Sequence, residues 1–138
     1  MYLSNFLTRT ITIDKQKLKQ ILVIIIGNAI KYTNTGSIKT LISYKGKCFT
    51  FQISDTGIGL KGKESKIFLL YGQINDHNTS KDTGIGFRLA LCKDLVEILK
   101  GTITAKSNQV GASFYVSLPS YDEQENETGI KEGNEVLK

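Results

Sequence analysis

The sequence has few of the residues that build metal sites and disulfide scaffolds. Its 138 residues include one histidine, two cysteines, one proline and no tryptophan. A single histidine excludes a multi-histidine metal centre. Cys48 and Cys92 are far apart and have no metal-ligating neighbours, which excludes a disulfide scaffold and argues against a zinc site. We expect both to be reduced thiols that serve as small core residues.

Long apolar runs are also absent. The longest, residues 21–26, has six residues, whereas a helix that spans a bilayer needs about 20. Residues 1–7 contain no basic region followed by an apolar stretch, so no secretory signal is visible. We therefore expect no membrane segment in this chain and a cytoplasmic location, although a parent protein that contains it could be anchored in a membrane.

Acidic residues are scarce until the end of the chain. Residues 1–119 hold 16 Lys and Arg against 7 Asp and Glu, whereas residues 120–138 hold six acidic residues against two lysines. The last segment also has few large apolar side chains, so we predict a domain over residues 1–119 and an acidic disordered tail over residues 120–138. The positive excess suits an anionic ligand, but a solvated lysine-rich surface explains it better because no compact basic run exists.

Hydrophobic periodicity predicts the order strand, helix, hairpin, long loop, helix, hairpin. The helices cover residues 15–32, capped by Asp14, and residues 89–99. Strand patterns cover residues 37–44, 48–54, 102–107 and 112–118. The roughly 30 residues between Asp55 and Gly86 lack such a pattern, and a loop of that length in a compact domain is usually functional or mobile. One sheet covered on one face by helices fits this order.

Two glycine-rich elements, residues 55–59 (DTGIG) and 83–86 (TGIG), bracket the long loop. At the first, a strand that ends at residues 53–54 is followed by the carboxylate of Asp55, and the glycines after it allow the backbone to approach a flat ligand closely. A half-buried carboxylate accepts a hydrogen bond from an exocyclic amine, which separates adenine from guanine. The alternative is a plain turn opened by Asp, and this element taken alone favours the turn.

Asn28 is a polar residue within the apolar stripe of the first helix, with Lys31 and Tyr32 one turn later. An amide there costs stability unless its polar groups are satisfied. Its oxygen is a suitable ligand for Mg²⁺, whose other ligands would be waters and phosphate oxygens. Lys31 is placed to balance phosphate charge and Tyr32 to stack on a base. An Asn on the solvent edge of the helix is an equally weighted alternative.

Four motifs resemble those of the sensor histidine kinase catalytic domain, which belongs to the GHKL ATPases with gyrase, MutL and the heat-shock chaperones. Residues 21–33 (ILVIIIGNAIKYT) resemble the asparagine box, and residues 55–60 (DTGIGL) resemble the first glycine box. Residues 67–73 (IFLLYGQ) resemble the phenylalanine box, and residues 84–101 resemble the second glycine box with its helix. The resemblance extends from about residue 11 to residue 119, with every motif in order and at the family's spacing. It is therefore highly specific.

The resemblance implies an α+β fold, a two-layer α/β sandwich of the Bergerat (GHKL) type. Its mixed sheet carries helices on one face, and here the first strand is expected to be missing or truncated. The implied reaction transfers the ATP γ-phosphoryl to a histidine on a separate dimerisation domain, in a phosphorelay with a response-regulator receiver. The implied cofactors are ATP and Mg²⁺, and nucleic acid is not expected as a partner. We expect the chain to be a fragment or short relic of a larger sensor kinase.

The resemblance also implies roles for individual residues. Asn28 would coordinate Mg²⁺ and Lys31 would contact phosphate, so these two are the candidate catalytic residues. Tyr32 would flank the adenine, and Asp55 would bind its amine.

Four glycines complete the implied site. Gly57 and Gly59 would shape the adenine pocket. Gly84 and Gly86 would hinge a lid over the nucleotide and offer backbone N–H groups to its phosphates at the start of the second helix, where the helix dipole favours anions.

The sequence departs from the family pattern at several positions. Ile24 replaces a polar residue that helps to activate the attacking group, and Arg88 stands where a third glycine is usual. The Arg88 side chain would either obstruct the lid or pair with phosphate. Leu69 and Leu70 replace a polar residue and a proline. We interpret His77, in the long loop, as a solvated residue and not as a phosphoacceptor.

These departures leave a second function in competition with the kinase catalytic domain. The alternative is a degenerate, non-catalytic nucleotide-binding or interaction module derived from the same family. A water-activating ATPase of the gyrase or MutL kind is a weaker candidate, because Ile24 occupies the position where those enzymes need an acid.

Overall fold

The computed structural model describes residues 12–69 and 85–120, with only the backbone described at residues 85 and 86. Its two helices and four strands are, in chain order, α1 (Lys15–Tyr32), β1 (Ile38–Lys45), β2 (Cys48–Asp55), α2 (Ile85–Ile98), β3 (Thr102–Ser107) and β4 (Ala112–Pro119). The predicted strand before α1, the long loop after residue 69 and the acidic tail lie outside the described residues.

Helix α1 begins where Asp14 caps it. The Asp14 Oδ1 atom accepts hydrogen bonds from the backbone N–H groups of Gln16 and Lys17, both at 3.1 Å. The Lys17 ammonium donates to Oδ2 at 2.7 Å, and these bonds from Lys17 lower the pKa of Asp14. The cap satisfies N–H groups that have no partner inside the helix. The helix runs from Lys15 to Tyr32, so the predicted bounds are confirmed at both ends.

Helix α2 begins four residues earlier than its apolar pattern indicates. The pattern starts at Leu89, which is buried, whereas the helix starts at Ile85. Phe87 and Arg88, in the first turn, are exposed. Since exposed side chains do not contribute to the stripe that faces the core, periodicity cannot locate this end of the helix.

The four strands form one sheet in the order β1-β2-β4-β3. Side chains on the inner face of the two central strands are buried and pair across the ladder: Phe49 with Leu118, Phe51 with Val116, and Ile53 with Phe114. Both helices pack on this face and complete the core. The outer face is polar, with Thr50 bonded to Ser117 at 3.2 Å and the hydroxyls of Ser54 and Ser113 2.8 Å apart.

The α+β two-layer arrangement with helices on one face is confirmed. The mixed sheet is not observed in residues 12–69 and 85–120, because all three strand pairings there are antiparallel. Two of these pairings are hairpins with short connections, at residues 46–47 and 108–111, and only antiparallel neighbours can be joined so tightly.

The two cysteines occupy different environments. Cys92 lies in α2 with no exposed surface, and burial raises the pKa of its thiol to about 12. Cys48 is exposed at the start of β2, one position before the buried Phe49, so its side chain lies on the outer face. The expectation of a core role is confirmed for Cys92 and wrong for Cys48, because strand alternation turns Cys48 away from the core. Neither cysteine forms a disulfide.

In residues 12–69 and 85–120, no helix combines the length and apolar character needed to cross a membrane.

Candidate functional site

The centre of the candidate site is Asp55, the last residue of β2. Asp55 is 6% exposed, which is unusual for a carboxylate, and no cationic side chain among residues 12–69 and 85–120 forms an ion pair with it. One oxygen, Oδ1, accepts hydrogen bonds from the backbone N–H of Gly57 at 2.9 Å and of Ala112 at 3.3 Å. No described residue donates to the other oxygen, Oδ2. The carboxylate is therefore anchored through one oxygen and has a second acceptor to offer to a ligand.

The loop after Asp55 lies directly against the C-terminal end of α1. A Cβ on Gly57 would lie 2.1 Å from the carbonyl oxygen of Tyr32, and the Ile58 N–H donates to that same oxygen at 3.4 Å. Gly59 has a φ of 73°, a conformation that favours glycine. The two glycines are required by close approach and by backbone conformation, respectively. Their effect is to bring the end of β2 and the end of α1 together.

Three predicted residues lie near the end of α1. Asn28 is half-buried, and its amide makes no hydrogen bond to another described residue. Lys31 is exposed, with its ammonium 5.9 Å from the ring centroid of the half-buried Tyr32. An amide, a cation and an aromatic ring therefore occur within the last turns of the helix whose end contacts Gly57.

The structure describes only some of the remaining predicted positions. Gly86 is the second residue of α2, where its backbone is helical. Gly84, Leu70 and His77 lie outside the described residues. Arg88 and Leu69 are exposed. The described contacts thus join Asp55, Gly57 and Tyr32 but do not join these residues to the start of α2.

The phenylalanine-box segment is attached to the core at its beginning. Ile67 is 3% exposed, and the ring of Phe68 packs edge-to-face on Phe114 with centroids 6.2 Å apart. Ile24, one turn before Asn28, is 5% exposed and belongs to the core. Its apolar side chain offers no acid or base to a ligand, and a charged residue there would have to be buried.

Sequence reasoning missed the contribution of the β3–β4 hairpin. A Cβ on Gly111 would lie 2.1 Å from the backbone oxygen of Asp55, and the Ser107 hydroxyl accepts a hydrogen bond from the Leu60 N–H at 2.7 Å. The turn at residues 108–111 was predicted, but no local signal connects it with a motif more than 50 residues earlier. Only the strand order brings the two segments together.

The donor set restricts which metal ions the site can accept. Within residues 12–69 and 85–120, no group of three or more His, Cys, Asp or Glu side chains is placed to hold a metal ion. The Asn28 amide is a single hard ligand. It fits Mg²⁺, which keeps several waters and is commonly shared with the phosphates of a ligand, better than it fits a metal held by a protein cage.

Comparison with known proteins decides the family. Residues 13–122 match the family described as histidine kinase-, DNA gyrase B-, and HSP90-like ATPase. The chain belongs to this family. It is 38% identical over 113 residues to the sensor protein CiaH of Streptococcus pneumoniae, a match that covers 80% of this chain and 26% of CiaH.

Solved structures support the same family assignment. Full-length ShkA in complex with AMPPNP has a TM-score of 0.68 at 30% identity, over 80% of this chain and 23% of that chain. The catalytic domain of the histidine kinase ThkA has a TM-score of 0.64 at 25% identity, over 77% of this chain and 69% of that chain. The chain is thus the ATPase catalytic domain of the sensor histidine kinase type, as the motifs predicted, and it spans about a quarter of the length of CiaH.

We expect Gly57→Ala to destabilise the domain by about 1–3 kcal/mol, because the added methyl group collides with the Tyr32 carbonyl oxygen. The matched control is Gly27→Ala in α1, where a Cβ meets nothing within 4 Å; it should stabilise the domain by about 0.5–1 kcal/mol. Denaturant unfolding of the three proteins measures both changes. Equal stability of Gly57→Ala and the unmodified chain would contradict the close approach.

Proposed function

We propose that this chain binds ATP with Mg²⁺ around Asp55 and is the catalytic domain of an ATP-dependent protein histidine kinase. The observation that carries the proposal is the buried Asp55 carboxylate, which is anchored through Oδ1 and offers Oδ2. The family match supports the kinase class, and the site geometry supports the nucleotide.

Base recognition follows from the anchored carboxylate. An oxygen that can only accept hydrogen bonds prefers the exocyclic amine of adenine, because guanine has a carbonyl oxygen at that position. Gly57 and Gly59 keep the adjacent backbone free of side chains, and the half-buried Tyr32 is close enough in the fold to flank a flat base. We assign adenine binding to Tyr32, Asp55, Gly57 and Gly59 together.

Phosphate and metal binding are assigned to the ends of the two helices. Asn28 would ligate Mg²⁺ through its amide oxygen, and Lys31 would contact a phosphate. Gly84 and Gly86 would present backbone N–H groups at the start of α2. Mg²⁺ held by Asn28 would supply charge neutralisation at the phosphates, and the residues of the chain would act by positioning the nucleotide.

The partners are proposed from the same resemblance. The phosphoryl acceptor would be a histidine on a dimerisation domain, followed by the receiver of a response regulator, supplied by a parent or partner protein. The relative CiaH is named a sensor protein, and this chain spans 26% of it.

The family match ends at residue 122, close to the end of β4 at Pro119, which supports a domain over residues 1–119 and a tail over residues 120–138. We place the domain in the cytoplasm.

Asp55→Asn tests base recognition, because it keeps the shape of the side chain but places an amide N–H₂ where the ligand amine donates. ATP affinity should fall by about 1–3 kcal/mol, roughly 5- to 150-fold, and the preference for ATP over GTP should fall with it. The matched control, Asp94→Asn, changes an exposed carboxylate of α2 and should leave affinity unchanged. Calorimetry gives both affinities, and unchanged ATP binding in folded Asp55→Asn refutes this assignment.

Asn28→Ala tests the metal site. The unmodified chain should bind ATP more tightly with Mg²⁺ than with a chelator, and in Asn28→Ala the two affinities should agree to within about two-fold because the proposed protein ligand is gone. Gln20→Ala removes an exposed amide from the same helix and should keep the Mg²⁺ effect. A Mg²⁺ effect that persists in Asn28→Ala would mean that another residue holds the ion.

Phosphotransfer tests the kinase itself. The chain is mixed with a separately produced histidine-bearing dimerisation domain and labelled ATP, and phosphohistidine is measured. We expect slow transfer, because Ile24 offers no group to activate the acceptor and because, of the two roles open to Arg88, we favour obstruction of the lid over pairing with phosphate. Arg88→Gly should therefore increase transfer several-fold.

Glu97→Gly is the control for that variant, since glycine in the same helix has a similar stability cost of about 1 kcal/mol. Weaker ATP binding in folded Arg88→Gly would mean that the guanidinium pairs with phosphate. Tight ATP binding without any transfer would favour the non-catalytic nucleotide-binding module.

A further inference from the structure

We propose that the β3–β4 turn, residues 108–111, positions the Asp55 carboxylate and thereby sets the base selectivity of the site. In this view Asn108 and Gly111 are positioning residues that need not touch a ligand. The inference rests on the proposed adenine site and adds to it a specificity determinant outside the four motifs named above.

The turn is closed by Asn108 through both its side chain and its backbone. The Asn108 Oδ1 atom accepts hydrogen bonds from the backbone N–H of Val110 at 2.9 Å and of Gly111 at 2.7 Å. The Asn108 N–H donates to the Gly111 carbonyl oxygen at 2.9 Å. Asn favours turns of this kind because its side chain bonds to the backbone two residues further on. Three hydrogen bonds thus fix where Gly111 lies.

Gly111 in turn lies against Asp55. A Cβ at position 111 would be 2.1 Å from the Asp55 carbonyl oxygen and 2.9 Å from Oδ1 of its side chain. The φ of Gly111 is not in the left-handed region, so its backbone conformation is open to alanine. Glycine is therefore required at this position by the contact with Asp55 and not by the turn.

The contact determines how the carboxylate is held. The residue after Gly111 donates its N–H to Oδ1 at 3.3 Å, and the Gly57 N–H donates to the same oxygen from the opposite segment. Two donors from separate segments orient the carboxylate plane, so the direction of Oδ2 depends on where the turn places Ala112. The turn also reaches the other side of the pocket, since a Cβ on Gly59 would lie 3.3 Å from the Gly111 carbonyl oxygen.

The turn should affect adenine and guanine nucleotides differently. If the turn relaxes, Oδ1 loses a donor and Oδ2 no longer has one direction, so the amine of adenine loses its aligned acceptor. A guanine nucleotide, which does not use that alignment, loses little. Phosphate binding at the helix ends should not change. Loosening the turn should therefore reduce the ratio of ATP affinity to GTP affinity without a general loss of binding.

The experiment compares Asn108→Ala, the conservative variant Asn108→Asp, and the control Gln109→Ala, which changes an exposed residue of the same turn. Calorimetry measures the binding of ATP, GTP and inorganic tripolyphosphate, and thermal unfolding checks that each protein is folded. In Asn108→Ala we expect the ATP-to-GTP affinity ratio to fall roughly ten-fold, as for a lost hydrogen bond to a charged group, with tripolyphosphate binding unchanged. Asn108→Asp keeps the accepting oxygen and should restore the ratio, and Gln109→Ala should not alter it.

Gly111→Ala is the second variant and should lower the ratio at least as much as Asn108→Ala. If it does not fold, the exposed position of Asn108 still allows the comparison. Folded Asn108→Ala with an unchanged ratio, or with equal losses for all three ligands, would overturn the inference while Asp55→Asn still tests adenine binding. If the unmodified chain binds no ATP, the proposed function itself is wrong.

Discussion

The anchoring of one Asp55 oxygen by two backbone N–H groups is the interaction on which the candidate site depends. One donor belongs to the glycine loop that follows β2 and the other to the first residue of β4. The loop is held by the end of α1 through the Tyr32 carbonyl oxygen, and β4 is held beside β2 by the sheet register. Because a buried carboxylate is costly unless it is hydrogen-bonded, we expect the anchoring of Asp55 to depend on all of these segments.

The rest of the fold supplies that placement. The two helices pack on one face of the sheet, so the C-terminal end of α1 comes to lie beside the end of β2. The opposite face carries hydroxyl groups that bond to one another across the strands. This division explains why the inner positions of β2 are apolar up to Ile53, and why the polarity changes at the next inner position, Asp55. The site begins where the core ends.

Much of this arrangement could be predicted from the sequence, because helix spacing, the Asp14 cap and strand alternation are local signals. The motifs also predicted the family and the candidate site residues Asp55, Gly57 and Asn28. The start of α2 could not be located, since Phe87 and Arg88 are exposed and carry no periodic signal. The close approach of Gly111 to Asp55 could not be predicted either, because it results from two strands that pair across more than 50 residues of sequence. The core position expected for Cys48 was wrong because its run did not show which face each residue takes.

The convergence of distant segments on Asp55 also couples ligand binding to folding of the whole domain. The proposed pocket draws on the end of α1, the loop after β2 and the turn before β4, so we expect an unfolded chain not to form it. A ligand held there would bind only the native state. At one hundred times its dissociation constant, such a ligand raises the free energy of unfolding by about 2.7 kcal/mol. The thermal stability of the domain therefore becomes a measure of how fully its site is occupied.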